Sequence, residues 1–348
     1  MTKEINIGGC LIGNSNPIAI QSMTNTRTKN VDSTREQIFA LEKVGCNIVR
    51  VAVLDIEDAL AIKDIKSSIH IPLVADIHFN HALALLAMEN GADKIRINPG
   101  NISKTSDLDK VIDCAKNNGV AIRIGANSGS VNKSFLEKYS TKSQALVESL
   151  LSQVRYFEKR GFYDLVLSVK STNVIETVDI NKKLSQHCDY PLHIGITEAG
   201  PKEIGVIKNS IGIGSLLLNG IGDTIRVSLT DNPIEEVLTA KNILRSCGKK
   251  IKGINFVSCP TCGRCMVDMV PLANQIYDRI KTIDAPILVA VMGCPVNGPG
   301  EAKDADIGIA FGGNNATLFK NGKIVAMLPL DNVVDNFVKQ VEELAKCY

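Results

Sequence analysis

An α/β fold in two parts is what the sequence predicts: a (β/α)8 TIM barrel over residues 1–246, then a small α+β domain over residues 251–348. Three observations carry this. Short β-branched runs alternate with amphipathic helical stretches through roughly the first 250 residues, the size of a closed βα barrel. The alternation breaks at Ser246-Cys-Gly-Lys-Lys-Ile251, which serves as a linker. Beyond it come further strand patterns, a two-residue hairpin signal and a concentration of cysteines.

The eight barrel strands are expected at residues 17–23, 47–53, 72–77, 94–98, 121–125, 165–170, 192–197 and 224–228. Their near-continuous apolar character is that of parallel strands covered on their faces by helices. Helices are expected between them, among others at 33–44, 56–67, 80–90, 108–118 and 143–159. Gly45 and Gly119 follow two of these helices, where a left-handed C-terminal residue is wanted. A doubly wound open sheet is the rival fold. Its support, Gly212-Ile-Gly214, lies inside a crossover and lacks a third glycine and a later acid. In the second part, strands are expected at 254–257, 287–292, 307–311, 317–320 and 323–328, with helices at 266–282 and 331–346. Asn321-Gly322, between the last two strands, is the signal of a two-residue hairpin.

Bulk composition excludes several classes. The 348 residues carry a formal charge of +2, with no run of Lys and Arg dense enough for a nucleic-acid arm. Trp is absent and aromatics are scarce, which argues against a base-stacking surface. Cys10, Cys46, Cys114, Cys188, Cys247 and Cys347 are scattered and read as reduced, buried small hydrophobes rather than a disulfide framework. The opening Met-Thr-Lys-Glu-Ile-Asn has no apolar signal core, and no apolar run approaches a membrane span. A reducing cytoplasm is the expected location.

The remaining cysteines are organised. Cys259-Pro-Thr-Cys262 is followed by Met292-Gly-Cys294-Pro-Val-Asn-Gly-Pro-Gly-Glu301. A C-x-x-C pair reaches one metal centre from a single turn, and the Asn297-Gly-Pro-Gly300 bend returns Glu301 toward the centre that Cys294 touches. Three thiols and one carboxylate suit an iron–sulfur cluster with one exchangeable iron. A zinc ribbon would need a second C-x-x-C pair, and a redox dithiol would leave Cys294 and Glu301 unused. Cys265 leaves a four-cysteine set open, although a ferredoxin run would close within a few residues rather than at Cys294-Pro295.

Barrel enzymes work at the C-terminal ends of their strands. There the sequence places Arg50, then Asp76 and His78, then Arg96 and Asn98, then Arg123 and Asn127. Lys170, Thr197 with Glu198, and Arg226 with Ser228 follow. Basic residues from five strands around one mouth create a focused positive field, and arginine's planar fork matches phosphate oxygens. A small polyanion with two phosphates is the expected ligand. Glu198 is read either as a general acid/base or as a counter-ion that fixes a basic rotamer. His78 is a proton donor or a positioning group. His70, His81, His187 and His193 lack thiol or carboxylate partners at ligand spacing and are read as ordinary.

With these residues in view, the chain resembles the 4-hydroxy-3-methylbut-2-enyl diphosphate synthase family of the non-mevalonate isoprenoid pathway, in its short two-domain bacterial form. The resemblance spans essentially the whole chain. It rests on Gln21-Ser-Met-Thr-Asn-Thr26, Ile48-Val-Arg-Val-Ala52, Ala75-Asp-Ile-His78 and Arg96-Ile-Asn-Pro-Gly-Asn101. Further markers are Ser168-Val-Lys170, Thr197-Glu-Ala-Gly200, Gly222-Asp-Thr-Ile-Arg-Val-Ser228, Ser258-Cys-Pro-Thr-Cys262 and the segment 293–301. It implies reductive ring opening of 2-C-methyl-D-erythritol 2,4-cyclodiphosphate to the linear allylic diphosphate, with two electrons arriving singly from flavodoxin or ferredoxin. It implies that Cys259, Cys262 and Cys294 hold three irons of a [4Fe–4S] cluster, with Glu301 on the fourth. Arg50, Arg96, Arg123, Asn127, Lys170, Arg226 and Ser228 would bind substrate, and Glu198 would handle protons with Asp76 and His78 nearby. A head-to-tail homodimer, in which one subunit's cluster domain serves the other's barrel, is also implied. Cys265 falls outside the family pattern, as a spare thiol or a rival to Glu301. Two other classes stay open on the residues alone: a phosphate-binding barrel with a structural zinc domain, and an electron carrier. Iron with inorganic sulfide, or zinc without it, separates them.

Overall fold

The computed structural model describes residues 1–348 apart from 79, 99–101, 103, 128–132, 250 and 296–301, and apart from the side chains of 127, 133, 134 and 136. The chain divides into two compact units, Met1–Gly248 and Lys249–Tyr348.

The first unit opens with a hairpin, β1 (Ile5–Ile7) and β2 (Cys10–Ile12), paired antiparallel. Barrel strands and helices then alternate: β3 (Ala19–Met23), α1 (Val31–Lys43), β4 (Ile48–Ala52), α2 (Ile56–Lys66), β5 (Leu73–Asp76), α3 (His81–Glu89), β6 (Lys94–Ile97) and α4 (Thr105–Asn118). They continue with β7 (Ala121–Asn127), α5 (Lys133–Lys138), α6 (Lys142–Lys159), β8 (Leu165–Lys170) and α7 (Val174–His187). The last repeats are β9 (His193–Ile194), α8 (Lys202–Leu218), β10 (Thr224–Ile225) and α9 (Pro233–Ser246). Sheet order is β8-β7-β6-β5-β4-β3-β10-β9, and a parallel bridge between Leu167 and Leu192 closes the ring. The expected barrel is therefore the observed one. Side-chain caps set several helix starts: Asp55 accepts from Asp58 N at 2.9 Å, and Asn232 accepts from Ile234 N at 3.0 Å with Pro233 in the first helical turn. Gly119 ends α4 at φ 63°, the left-handed cap its position asks for.

Two features differ from the sequence reading. Expected strands 192–197 and 224–228 keep ladder pairing only at His193–Ile194 and Thr224–Ile225. Beyond Ile194 the chain passes Gly195, and Glu198 takes φ 51°; the bonds Arg226 N to Ile194 O (3.0 Å) and Ser228 Oγ to Ile196 O (2.6 Å) carry the two segments on side by side. The second feature is the opening hairpin, which the strand–helix period does not announce. Its Ile5, Ile7 and Ile12 are buried against Ala19, Ile48, Val74, Ala121 and Val166, the first inward residues of five barrel strands. This apolar layer seals the N-terminal end of the barrel and leaves polar inward residues for the other end.

The second unit is a mixed five-stranded sheet, β11 (Asn255–Ser258), β12 (Leu288–Met292), β13 (Ile307–Gly312), β14 (Asn315–Lys320) and β15 (Lys323–Pro329), in that order. The first three strands run parallel and the last two are antiparallel. Asn321 (φ 48°) and Gly322 (φ 74°) make the expected two-residue turn. Helices α10 (Met269–Ile280) and α11 (Val333–Ala345) bury Ile276, Ile280, Phe337 and Val341 against Val289, Val291, Ile307 and Ile309. Among the described residues no helix is long and apolar enough to cross a membrane.

Candidate active site

Alternation along the barrel strands decides which residues meet. Asp76, Arg96 and Arg123 occupy paired register positions on β5, β6 and β7, so all three point inward at one height. Arg50, opposite Met23, joins them from β4. With His78, Gly125, Ser168, Lys170, Ile196, Thr197, Arg226 and Ser228 they line one cavity of about 210 Å³. The structure thus brings together Arg50, Asp76, His78, Arg96, Arg123, Lys170, Arg226 and Ser228 from the sequence-derived set. Asn127 ends β7 opposite Lys170, and its side chain lies outside the described residues. Glu198 is exposed, takes φ 51°, and is not among the lining residues, although its chain neighbour Thr197 is. Ser228 is in the wall, but its hydroxyl proton is donated to Ile196 O.

Charge in this wall is unbalanced. Asp76 is the sole acid among the described lining residues, with Arg96 Nη1 at 3.2 Å, His78 Nε2 at 3.6 Å and Arg50 Nε at 3.9 Å. Burial opposes ionisation of Asp76, yet the neighbouring His78 and the charges of Arg50, Arg96 and Arg123 outweigh it, holding its carboxyl well below the usual carboxylate range. Burial and the other guanidinium groups push Arg123 well below its ordinary value and Arg50 down to about 10. Arg96 Nε, Arg123 Nε and Nη1, and Arg226 Nε are buried donors for which the described residues supply no acceptor. Such donors cost folding free energy unless something accepts from them, and an anion is the natural acceptor. Gly125 makes room for this arrangement, since a Cβ there would stand 3.2 Å from Arg96 Nε.

Sequence reasoning missed three contributors. Glu236, in the first turn of α9, is buried; its carboxylate accepts from Ser22 Oγ (3.1 Å) and Leu229 N (3.1 Å) and lies 3.4 Å from Arg226 Nη2. Its spacing with Val237, Ala240, Ile243 and Leu244 on the buried helix face was the available signal. Lys94 is fully buried one inward position before Arg96, 3.4 Å from Gln21 Oε1. His193, read as ordinary, is fully buried beside Lys170.

In the second unit the cysteine motif sits at the C-terminal ends of two neighbouring parallel strands. Cys259 directly follows β11 and Cys294 follows β12 by two residues, with Ser258 paired to Val291. Cys259 N donates to Val291 O at 3.2 Å, Gly293 N donates to Cys259 Sγ at 3.1 Å, and Met266 N donates to Gly293 O at 2.9 Å, which lays the 259–266 loop against the 293 turn. Cys294 is buried and Cys262 exposed. The backbone N–H of Arg264 lowers the Cys262 thiol most; burial opposes it, and Arg264's charge and the Cys265 thiol add to the lowering. Among the described residues no disulfide involves any of the ten cysteines. Among the described residues no three His, Cys, Asp or Glu side chains converge as a metal site; Glu301 lies outside them. The donors nonetheless fit an iron–sulfur cluster: soft ligands at adjacent strand ends, one sulfur receiving an amide N–H and another biased toward thiolate.

Comparison with known proteins agrees on one family. The family model for the GcpE TIM-barrel domain matches residues 2–241, and that for the GcpE protein C-terminal domain matches residues 255–343. A protein of Caldicellulosiruptor saccharolyticus named 4-hydroxy-3-methylbut-2-en-1-yl diphosphate synthase (flavodoxin) is 54% identical over 347 residues, covering 99% of this chain and 100% of its own. One of the same name from Caldanaerobacter subterraneus subsp. tengcongensis is 52% identical, covering 99% and 98%. Among solved structures, dihydropteroate synthase of Yersinia pestis superposes with a TM-score of 0.52 at 13% identity, covering 71% of this chain and 98% of that one. That likeness shows the barrel fold alone.

Proposed function

Because the chain belongs to the GcpE family and is an enzyme of that family, we propose that it opens the ring of 2-C-methyl-D-erythritol 2,4-cyclodiphosphate reductively to give (E)-4-hydroxy-3-methylbut-2-enyl diphosphate. Two electrons enter from flavodoxin or ferredoxin, one ring carbon–oxygen bond breaks, and the C3 oxygen leaves as water after taking a proton. The observation that carries this reading is the cation ring: Arg50, Arg96, Arg123, Lys170 and Arg226 around one cavity, with buried guanidinium donors that find no acceptor among the described residues. A ligand with two linked phosphates satisfies more of these donors than a single phosphate can.

Within the barrel, the arginine forks bind and orient the diphosphate, and the sealed N-terminal end excludes water from below. Asp76 stays ionised, so it orients Arg50, Arg96 and His78 and has no proton to give. Glu198, next in the chain to the lining residue Thr197, is the carboxyl assigned to proton relay. Cys259, Cys262 and Cys294 would hold a [4Fe–4S] cluster with Glu301 as the oxygen ligand. Such a cluster supplies electrons one at a time together with a Lewis-acidic iron. The assignment of a 1–246 substrate domain and a 251–348 cluster domain, acting as a homodimer, belongs to this proposal.

The test that separates it from a zinc-stabilised, non-redox barrel is metal and sulfide content with a visible spectrum, on protein purified without oxygen. Equal iron and sulfide, about four of each per chain for a cubane cluster, is expected, and Cys294→Ser should lower both. Stoichiometric zinc without sulfide, persisting after anaerobic reconstitution, would remove the redox reading.

A further inference from the structure

His193 lies outside the ligand shell described above, yet it is built into it from beneath. Its Nδ1 stands 2.8 Å from Thr224 Oγ1 on β10, and its Nε2 stands 3.2 Å from Lys170 Nζ on β8. Both neighbours are barrel strands, and the ring is fully buried between them. Lys170 Nζ in turn lies over Gly195, where a Cβ would come within 2.8 Å of it, so the absence of a side chain there leaves the amine its place. We propose that His193 is a positioning residue for anion binding: it donates Nδ1–H to Thr224 Oγ1, accepts one hydrogen bond from Lys170 through Nε2, and leaves the other Lys170 hydrogens aimed at a phosphate between Arg123 and Arg226. This rests on the reading of the barrel cavity as the diphosphate site.

The electrostatics require such a partner. Lys170 is half-buried and lies in the field of Arg123 on β7, Arg226 of the β10 segment and Arg50 on β4, with Glu236 of α9 as the opposing charge. Burial first, then those guanidinium groups, push its pKa well below the ordinary lysine value. His193 is pushed well below its own ordinary value by burial and then by Lys170, Arg123, Lys94 and Arg50, so it stays neutral and remains an acceptor. The pair therefore holds at most one positive charge. An arriving diphosphate favours the ammonium form, so anion affinity declines as pH rises and Lys170 deprotonates. Removing the Nε2 acceptor makes the ammonium harder to hold, and the decline begins at lower pH.

The experiment is calorimetric titration of the full-length protein with inorganic pyrophosphate across a neutral-to-alkaline pH series, for wild type, His193→Leu, His193→Gln and Thr224→Val. His193→Leu should bind about tenfold more weakly, the size of one lost charge-assisted hydrogen bond, with its pH profile displaced downward. His193→Gln keeps an oxygen acceptor near the Nε2 position and should recover most of the affinity and the wild-type profile. Thr224→Val, which keeps the shape and removes only the hydroxyl, should displace the profile in the same direction by less; it serves if His193→Leu fails to fold. Wild-type affinity and profile in a folded His193→Leu or in Thr224→Val would overturn the proposal. Equal weakening in the Leu and Gln variants with an unmoved profile would also overturn it, reducing His193 to a packing role. Absence of pyrophosphate binding in the wild type is a different result: it defeats the cavity reading itself, and this inference with it.

Discussion

Asp76 is shared by Arg50, Arg96 and His78, which makes it the residue on which the ligand-free barrel depends most. Asp76→Asn leaves buried cations without their counter-ion, a change that costs about 3–5 kcal/mol. Pyrophosphate should restore more stability to this variant than to wild type. The pH dependence follows from the depressed carboxyl. Its contribution is full above the unfolded value of about 3.9 and is lost as pH falls toward the lower folded value. Urea unfolding should therefore show the gap between wild type and Asp76→Asn closing only in that acid range; a gap independent of acid pH would contradict the assignment. Arg123→Met, which removes donors that find no acceptor among the described residues, should weaken pyrophosphate binding by about a hundredfold. The arginines were legible in the sequence because the strand period says which residues face inward. His193 was not, because its partners Lys170 and Thr224 lie on neighbouring strands and no local spacing points to them, and Glu236 left only its place on the buried face of α9 as a signal.

Among the elements, the opening hairpin has the clearest separate role. Its isoleucines fill the barrel's N-terminal end, far in register from the strand-end arginines. Ile7→Ala should lower unfolding free energy by about 2–5 kcal/mol while leaving pyrophosphate affinity unchanged, measured by denaturant unfolding and calorimetry. A matching loss of affinity would mean that the two layers of the barrel interior are coupled. Element type was readable wherever the period was long. Thus α6 and β8 fall within a residue of expectation, as does the Asn321-Gly322 turn. It failed where strands are very short. Segments β1 and β2 hold three residues each, too few for a pattern, and β9 and β10 hold two because the site bends their continuation.

At the scale of the whole molecule, the family resemblance implies that barrel and cluster domain of different subunits work together. Mixing Arg123→Met chains with Cys294→Ser chains then restores activity. Random exchange into two-fold dimers gives about a quarter of wild-type turnover, since half the dimers are mixed and each holds one intact site. No recovery would place closure within a single chain. The decisive measurement for the whole account is anaerobic turnover of 2-C-methyl-D-erythritol 2,4-cyclodiphosphate by reconstituted protein with reduced flavodoxin, with the product identified by mass and phosphorus resonance. The account predicts the linear allylic diphosphate, its formation lost in Arg123→Met and in Cys294→Ser alike. Cluster-loaded protein that binds the cyclodiphosphate and returns it unchanged would contradict it.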